Sequence, residues 1–161
     1  MALEIERKFL IKKIPQDVEQ FPHKDIMQWY FNDPSTGKSI RVRKIGTDYV
    51  VTRKKWSGLV RNEVEAKLSK EEFDDMWMNV ENRFLEKTRY YIPYEGKTIE
   101  LDIYKNLNGF MTAEVEFTTK RDAKQFVAPE WFDEELTMMR EATNAYIANY
   151  WLSEELLSMI Q

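Results

Sequence analysis

The 161-residue chain has no cysteine and a single histidine, His23, in a loop beside Pro22. A disulfide framework and a thiolate metal site are therefore excluded. Glycine and proline are scarce, five of each, and a chain 43% hydrophobic and 32% charged carries no signature of disorder. No apolar run approaches the ~20 residues of a membrane helix, so no membrane partner is expected. Charges stand at Glu4, Glu6, Arg7 and Lys8, where a signal peptide would carry its apolar segment, and the expected compartment is the cytoplasm. The net charge of −4 argues against general nucleic-acid binding, and no nucleic-acid partner is expected. There is no glycine-rich phosphate loop and no Ser/His/Asp arrangement. Any chemistry must rest on carboxylates, cations and bound metal.

Alternation of β-branched and aromatic residues predicts strands near 3–11, 25–32, 38–45, 48–55, 59–67, 84–92, 98–105 and 110–118. Turn chemistry separates most of them: Asp33-Pro34-Ser35-Thr36-Gly37, Ile45-Gly46-Thr47-Asp48, Ser57-Gly58, Glu95-Gly96-Lys97 and Asn106-Leu107-Asn108-Gly109. Ser69 and Glu72 have capping-box spacing, and Phe73, Met76, Trp77 and Val80 recur at helical intervals, predicting a helix over 69–80. Beyond Pro129 the pattern reads helical around 134–149 and again over 153–160. One domain spanning 1–161 is expected, of α+β class and mainly β: an antiparallel barrel or sandwich with helices packed outside.

Residues i and i+2 of a strand share a face. On that rule seven of the eight predicted strands collect ionisable residues on one side: Glu4, Glu6 and Lys8; Arg41 and Arg43; Lys54; Arg61, Glu63 and Glu65; Lys87 and Arg89; Glu100 and Asp102; Glu114 and Glu116. Half-exposed strands also alternate charged and apolar residues, so no single strand decides anything. The order is more telling, because pairs of one sign stay together on a strand while both signs recur around the sheet. If the sheet closes with its charged face inward, unpaired burial would cost several kcal/mol per ion. The interior must then hold water, ions or a charged ligand, and a tunnel fits better than a core. Arginine grips phosphate oxygens with a two-pronged fork and lysine with a point charge. Carboxylate clusters hold hard cations such as Mg²⁺ or Mn²⁺. A wall of each sign suits a triphosphate–metal complex.

These residues resemble a known family, the CYTH superfamily of triphosphate tunnel metalloenzymes. Its N-terminal Glu-x-Glu-x-Lys appears as Glu4-Ile5-Glu6-Arg7-Lys8. The resemblance continues through Gln28-Trp29-Tyr30-Phe31, Arg41-Val42-Arg43, Thr52-Arg53-Lys54, Arg61-Asn62-Glu63-Val64-Glu65, Lys87-Thr88-Arg89-Tyr90, Glu100-Leu101-Asp102 and Glu114-Val115-Glu116-Phe117. The match loosens after residue 128, where Trp131-Phe132-Asp133 lacks the family's Trp-x-Gly glycine and leaves any role of Glu135 open.

The resemblance implies an eight-stranded antiparallel β-barrel forming a tunnel that binds triphosphate with Mg²⁺ or Mn²⁺. It implies a phosphate clamp of Lys8, Arg41, Arg43, Lys54, Arg61, Lys87 and Arg89. It implies metal and water ligands at Glu4, Glu6, Glu63, Glu65, Glu114 and Glu116, with Asp102 nearby. Glu4, Glu6 and Glu65 would serve catalysis, and Tyr30 matches a tunnel-wall tyrosine proposed as a proton acceptor; aromatic packing is its other reading. The expected activity is hydrolysis of inorganic tripolyphosphate to pyrophosphate and phosphate, on a small-molecule substrate. The alternatives are a thiamine or nucleoside triphosphatase, an adenylyl cyclase of the class IV type, and a polyphosphate- or nucleotide-binding module without turnover. The sequence leaves a homodimer open.

Overall fold

The structure, a computed structural model, describes residues 2–33, 38–57, 60–77 and 84–161, with the side chains of 2–3, 32–33, 38–39, 54–57 and 60–61 outside that description. The predicted turn residues 34–37, Gly58 and Val80 lie outside the described residues. The strands are β1 (Ala2–Ile11), β2 (His23–Asp33), β3 (Lys38–Ile45), β4 (Asp48–Ser57), β5 (Val60–Leu68), β6 (Leu85–Tyr94), β7 (Lys97–Tyr104), β8 (Met111–Phe117) and β9 (Phe132–Glu135). All eight expected strands form, with ends within two residues of the sequence reading, because each alternates and is bounded by turn residues. Glu95 and Gly96 both take positive φ, 48° and 76°, the two-residue turn that matches the twist of the β6–β7 hairpin.

The sheet has nine strands where eight were expected. Its order is β5-β4-β3-β2-β6-β7-β8-β1-β9, all antiparallel, with β5 also meeting β1 over four residue pairs from Ala2↔Glu63 to Ile5↔Val60. β1 thus divides its partners: β5 at its start, β8 along Ile5–Leu10, and β9 beside Phe9 and Ile11. β9 falls where the sequence read as helix. Of the stretch 134–149, only α3 (Asn144–Tyr150) and a turn of 3₁₀ helix at Arg140–Ala142 are helical. A backbone bond from Leu136 N to Lys8 O (2.7 Å) and a side-chain clamp at Arg7 draw this segment onto β1, a tertiary pull that local periodicity does not contain.

The helix expected at 69–80 is α1 (Lys70–Trp77), started by the Ser69/Glu72 capping box, whose two reciprocal bonds are both 3.0 Å. It lays Phe73 over Trp29 and Val42 on the outer face of the sheet. A short α2 (Lys120–Gln125), capped by Thr119, packs Ala123 against the outer residues Ile99, Leu101, Val115 and Phe117. α4 (Glu154–Met159) closes the chain, capped by Ser153.

The C-terminal helices do not lie outside the sheet as expected. Ile147, Ala148 and Leu156 pack on Leu10, Tyr30, Leu85 and Tyr104. Those four share strand faces with Lys8, Gln28, Lys87 and Asp102, the charged inner face. The end of the chain therefore fills one side of the charged interior with an apolar cluster. Burying those large side chains contributes roughly 1.5–3 kcal/mol apiece, which makes the position of the segment energetically decisive.

Candidate active site

Neighbouring strands carry the charges in register. Glu6 lies opposite Glu116, and Lys8 opposite Glu114, across β1–β8. Arg41 lies opposite Tyr30 and Thr52, and Arg89 opposite Asp102. Alternation turns this register into one polar face: Glu6, Lys8, Arg41, Arg43, Lys87, Arg89, Asp102 and Glu114 are all buried.

Three carboxylates come together. One oxygen each from Glu4, Glu6 and Glu116 lies within 4.8 Å of the others. Like charges opposite one another across a strand pair are destabilising, so this is where a hard cation would be accommodated. An all-oxygen donor set, with no cysteine and no histidine, fits Mg²⁺ or Mn²⁺.

Asp102, Glu100, Glu114 and Glu63 lie beside bases. Asp102, fully buried, takes Lys87 Nζ at 2.8 Å on one oxygen, and Arg89 Nε at 2.7 Å and Nη2 at 2.9 Å across both. Burial alone would raise the Asp102 carboxyl, but Arg89 and Lys87 hold it below the ordinary carboxylate value. Glu100 accepts from Arg89, yet burial pushes its carboxyl up. Glu114 faces Lys8 Nζ at 3.5 Å, and Glu63 faces Arg41 Nη2 at 3.6 Å. Glu65 is exposed and reached by Thr52 Oγ1 at 3.4 Å.

The bases are crowded and dry. Burial pushes the Lys87 ammonium down to about 7 despite Asp102 beside it. Arg43 falls to about 10, first through burial and then through Arg41 and Arg89 nearby. Neither Arg41 Nε nor Arg43 Nε has a hydrogen-bond partner among the described residues. Buried, partly unsatisfied guanidinium groups favour an anion. Lys8 Nζ donates to the Ala142 carbonyl at 2.8 Å, tying the apolar end of the interior to the charged one. Lys54 and Arg61 sit in register with Glu63 and Glu4, but their side chains lie outside the described residues.

Tyr30 is buried in the cluster under the C-terminal helices, and its hydroxyl accepts from Gln28 Nε2 at 2.7 Å. Glu135, whose role the sequence left open, forms a two-pronged pair with Arg7 (2.9 and 2.6 Å) on the outer side of β1. Arg7 also donates to the Ala123 and Phe126 carbonyls, so this pair fastens α2 and β9 to β1. His23 is exposed, its ring 5.1 Å from that of Tyr90 and its Nδ1 3.4 Å from the Phe21 carbonyl oxygen. Sequence reasoning also passed over Tyr91. It shares the inner face with Lys87 and Arg89, and the i+2 spacing was there to be read.

A profile for the CYTH domain matches residues 2–149. The chain is 36% identical over 149 residues to the inorganic triphosphatase of Nitrosomonas europaea, covering 90% of this chain and 96% of that protein. The crystal structure of the inorganic triphosphatase NE1496 superposes with a TM-score of 0.70 at 32% identity, over 93% of this chain and all of that one (100%). The PH1012 protein of Pyrococcus horikoshii shares the fold, with a TM-score of 0.57 at 20% identity, over 84% of this chain and 97% of that one. The strand-by-strand order of the charged pairs, the sheet they build and these likenesses agree, and the chain belongs to the CYTH domain family.

Proposed function

We propose that this chain hydrolyses inorganic tripolyphosphate to pyrophosphate and phosphate with a divalent cation, Mg²⁺ or Mn²⁺, bound at Glu4, Glu6 and Glu116. One observation carries the reading: three carboxylates within 4.8 Å of one another, Glu6 among them buried, stand on the same inner strand face as buried Arg41, Arg43, Lys87 and Arg89. The resemblance to an inorganic triphosphatase along 90% of the chain supports the substrate.

When bound, the metal would neutralise phosphate charge and lower the pKa of water. The chain's own residues do the rest. Arg41, Arg43, Lys87 and Arg89, with Lys8, Lys54 and Arg61, bind and orient the phosphate oxygens. Asp102 aims Lys87 and Arg89, and Glu63 aims Arg41; both act as positioning residues. Glu114 steadies Lys8. Glu65, exposed and reached by the Thr52 hydroxyl, stays in place as an acceptor for a water proton. Tyr30, packed in the apolar cluster, orients Gln28 and excludes water from that side. The described chain has no helix long and apolar enough to cross a membrane, and the cytoplasm is the proposed compartment.

The test is a phosphate-release assay offering tripolyphosphate, ATP and thiamine triphosphate with Mg²⁺, with Mn²⁺ or with EDTA. Tripolyphosphate should be turned over fastest, and EDTA should abolish release. Full turnover in EDTA would sink the metal reading. Cyclic AMP as the main product from ATP would replace it with a cyclase, and binding without release would leave a module.

A further inference from the structure

Tyr91 belongs to the same strand face as Lys87 and Arg89, and its Cα partner across β6–β7 is Glu100. It is half-buried. The charges of Arg89, Glu100, Arg43 and Asp102 all bear on that hydroxyl. It therefore stands on the charged inner face, within the electrostatic reach of two of the guanidinium groups assigned to phosphate.

We infer that Tyr91 binds the phosphate chain, donating its hydroxyl hydrogen to a phosphate oxygen held by Arg89 and Arg43. The inference rests on the triphosphatase reading and adds a residue to it. A neutral donor has a use among so many cations. Each further ammonium or guanidinium adds to the repulsion within the site, as Arg41 and Arg89, after burial, add to the lowering of Arg43, whereas a phenol adds a hydrogen bond without adding charge. Burial raises the Tyr91 phenol, Arg89 opposes it and Glu100 reinforces it, with the net shift upward. The hydroxyl thus stays protonated and can only donate to an anionic oxygen. Tyr30 stands elsewhere, in the apolar cluster beneath the C-terminal helices.

The experiment compares wild type, Tyr91→Phe and Tyr90→Phe, the last on the opposite face of the same strand. It measures KM and kcat for tripolyphosphate with Mg²⁺, the inhibition constant of pyrophosphate as competitor, and the melting temperature. Loss of a hydrogen bond to a charged acceptor should raise KM and the inhibition constant of Tyr91→Phe by about 5–20-fold. Its kcat and melting temperature should stay near wild type, and Tyr90→Phe should match wild type throughout. Unchanged KM and inhibition constant in Tyr91→Phe overturn the assignment while leaving the triphosphatase reading intact. A loss confined to kcat also overturns it, since it would show no contact in the bound ground state. A wild type that does not turn over tripolyphosphate overturns both.

Discussion

Two sets of carboxylates share the inner face of one sheet and have opposite neighbours. Glu4, Glu6 and Glu116 face one another within 4.8 Å where β1 runs beside β8. Asp102, two strands from β1, is saturated by Lys87 and Arg89. Sequence spacing makes the two sets look alike, since each belongs to an acid-apolar-acid triplet. Their electrostatics separate them. The first set places like charges beside one another, whereas removing Asp102 takes the shared acceptor from buried Lys87 and Arg89. On the proposed assignment, a family motif mixes residues that meet the ligand with residues that hold those residues in place.

The sharpest way to break this comparison is a pair of neutral substitutions. Asp102→Asn should destabilise the metal-free protein by about 3–5 kcal/mol, the loss expected when one partner of a buried ion pair is removed. That corresponds to a melting temperature lower by roughly 6–20 °C. Glu116→Gln in EDTA should leave the melting temperature unchanged or slightly higher. Bare repulsion at 4.8 Å would be about 3 kcal/mol at an effective dielectric of 20, but Glu116 is exposed and screening leaves under about 1 kcal/mol. With Mg²⁺ the same variant should lose its phosphate release. Equal falls in melting temperature for both variants would erase the distinction.

Lys87 offers a pH test of the saturated set. Its ammonium is lowered to about 7 in the folded protein from an ordinary 10.5. Between those values the unfolded chain holds a proton that the folded chain has released, so this group makes stability rise with pH. Below about pH 7 both states are protonated, and the slope from Lys87 vanishes. Urea midpoints from pH 7 to 9.5 should rise more steeply in wild type than in Lys87→Met. Parallel curves would show that Lys87 stays charged throughout.

The proposed phosphate contacts would distinguish inner from outer arginines. Arg41→Lys and Arg43→Lys should each lose about 1–3 kcal/mol in kcat/KM, because an ammonium cannot reproduce a two-pronged contact. Arg53 lies between Thr52 and Lys54 on the exposed outer face, and Arg53→Lys should be silent in the same assay. A matching loss at Arg53 would contradict the strand phase. The smallest effect belongs to the outer clamp. Glu135→Gln should lower stability by about 1 kcal/mol, a modest figure for a partly exposed pair, with kcat within about twofold of wild type.

Much of this was legible in advance because a strand's two faces are written in its alternation. The eight strand positions, the capping box at Ser69 and Glu72, and the single polar face follow from residue order and local chemistry. The same order put Glu4, Glu6 and Glu116 on that face together with Glu63, Glu65, Glu100, Asp102 and Glu114. Periodicity could not say that Asp133-Glu134-Glu135 would extend a ninth strand. That outcome depends on Arg7 and the backbone of Lys8, more than a hundred residues away. It also could not say which acids would meet and which would be neutralised, because cross-strand register and side-chain reach set those pairings. The destination of the C-terminal helices was likewise decided by packing: their apolar stripes fit Leu10, Leu85 and Tyr104 inside the sheet. Local spacing determined the faces, and only the folded chain brought particular charges within a few ångströms, where Coulomb energy and desolvation assign each one to scaffold or to ligand.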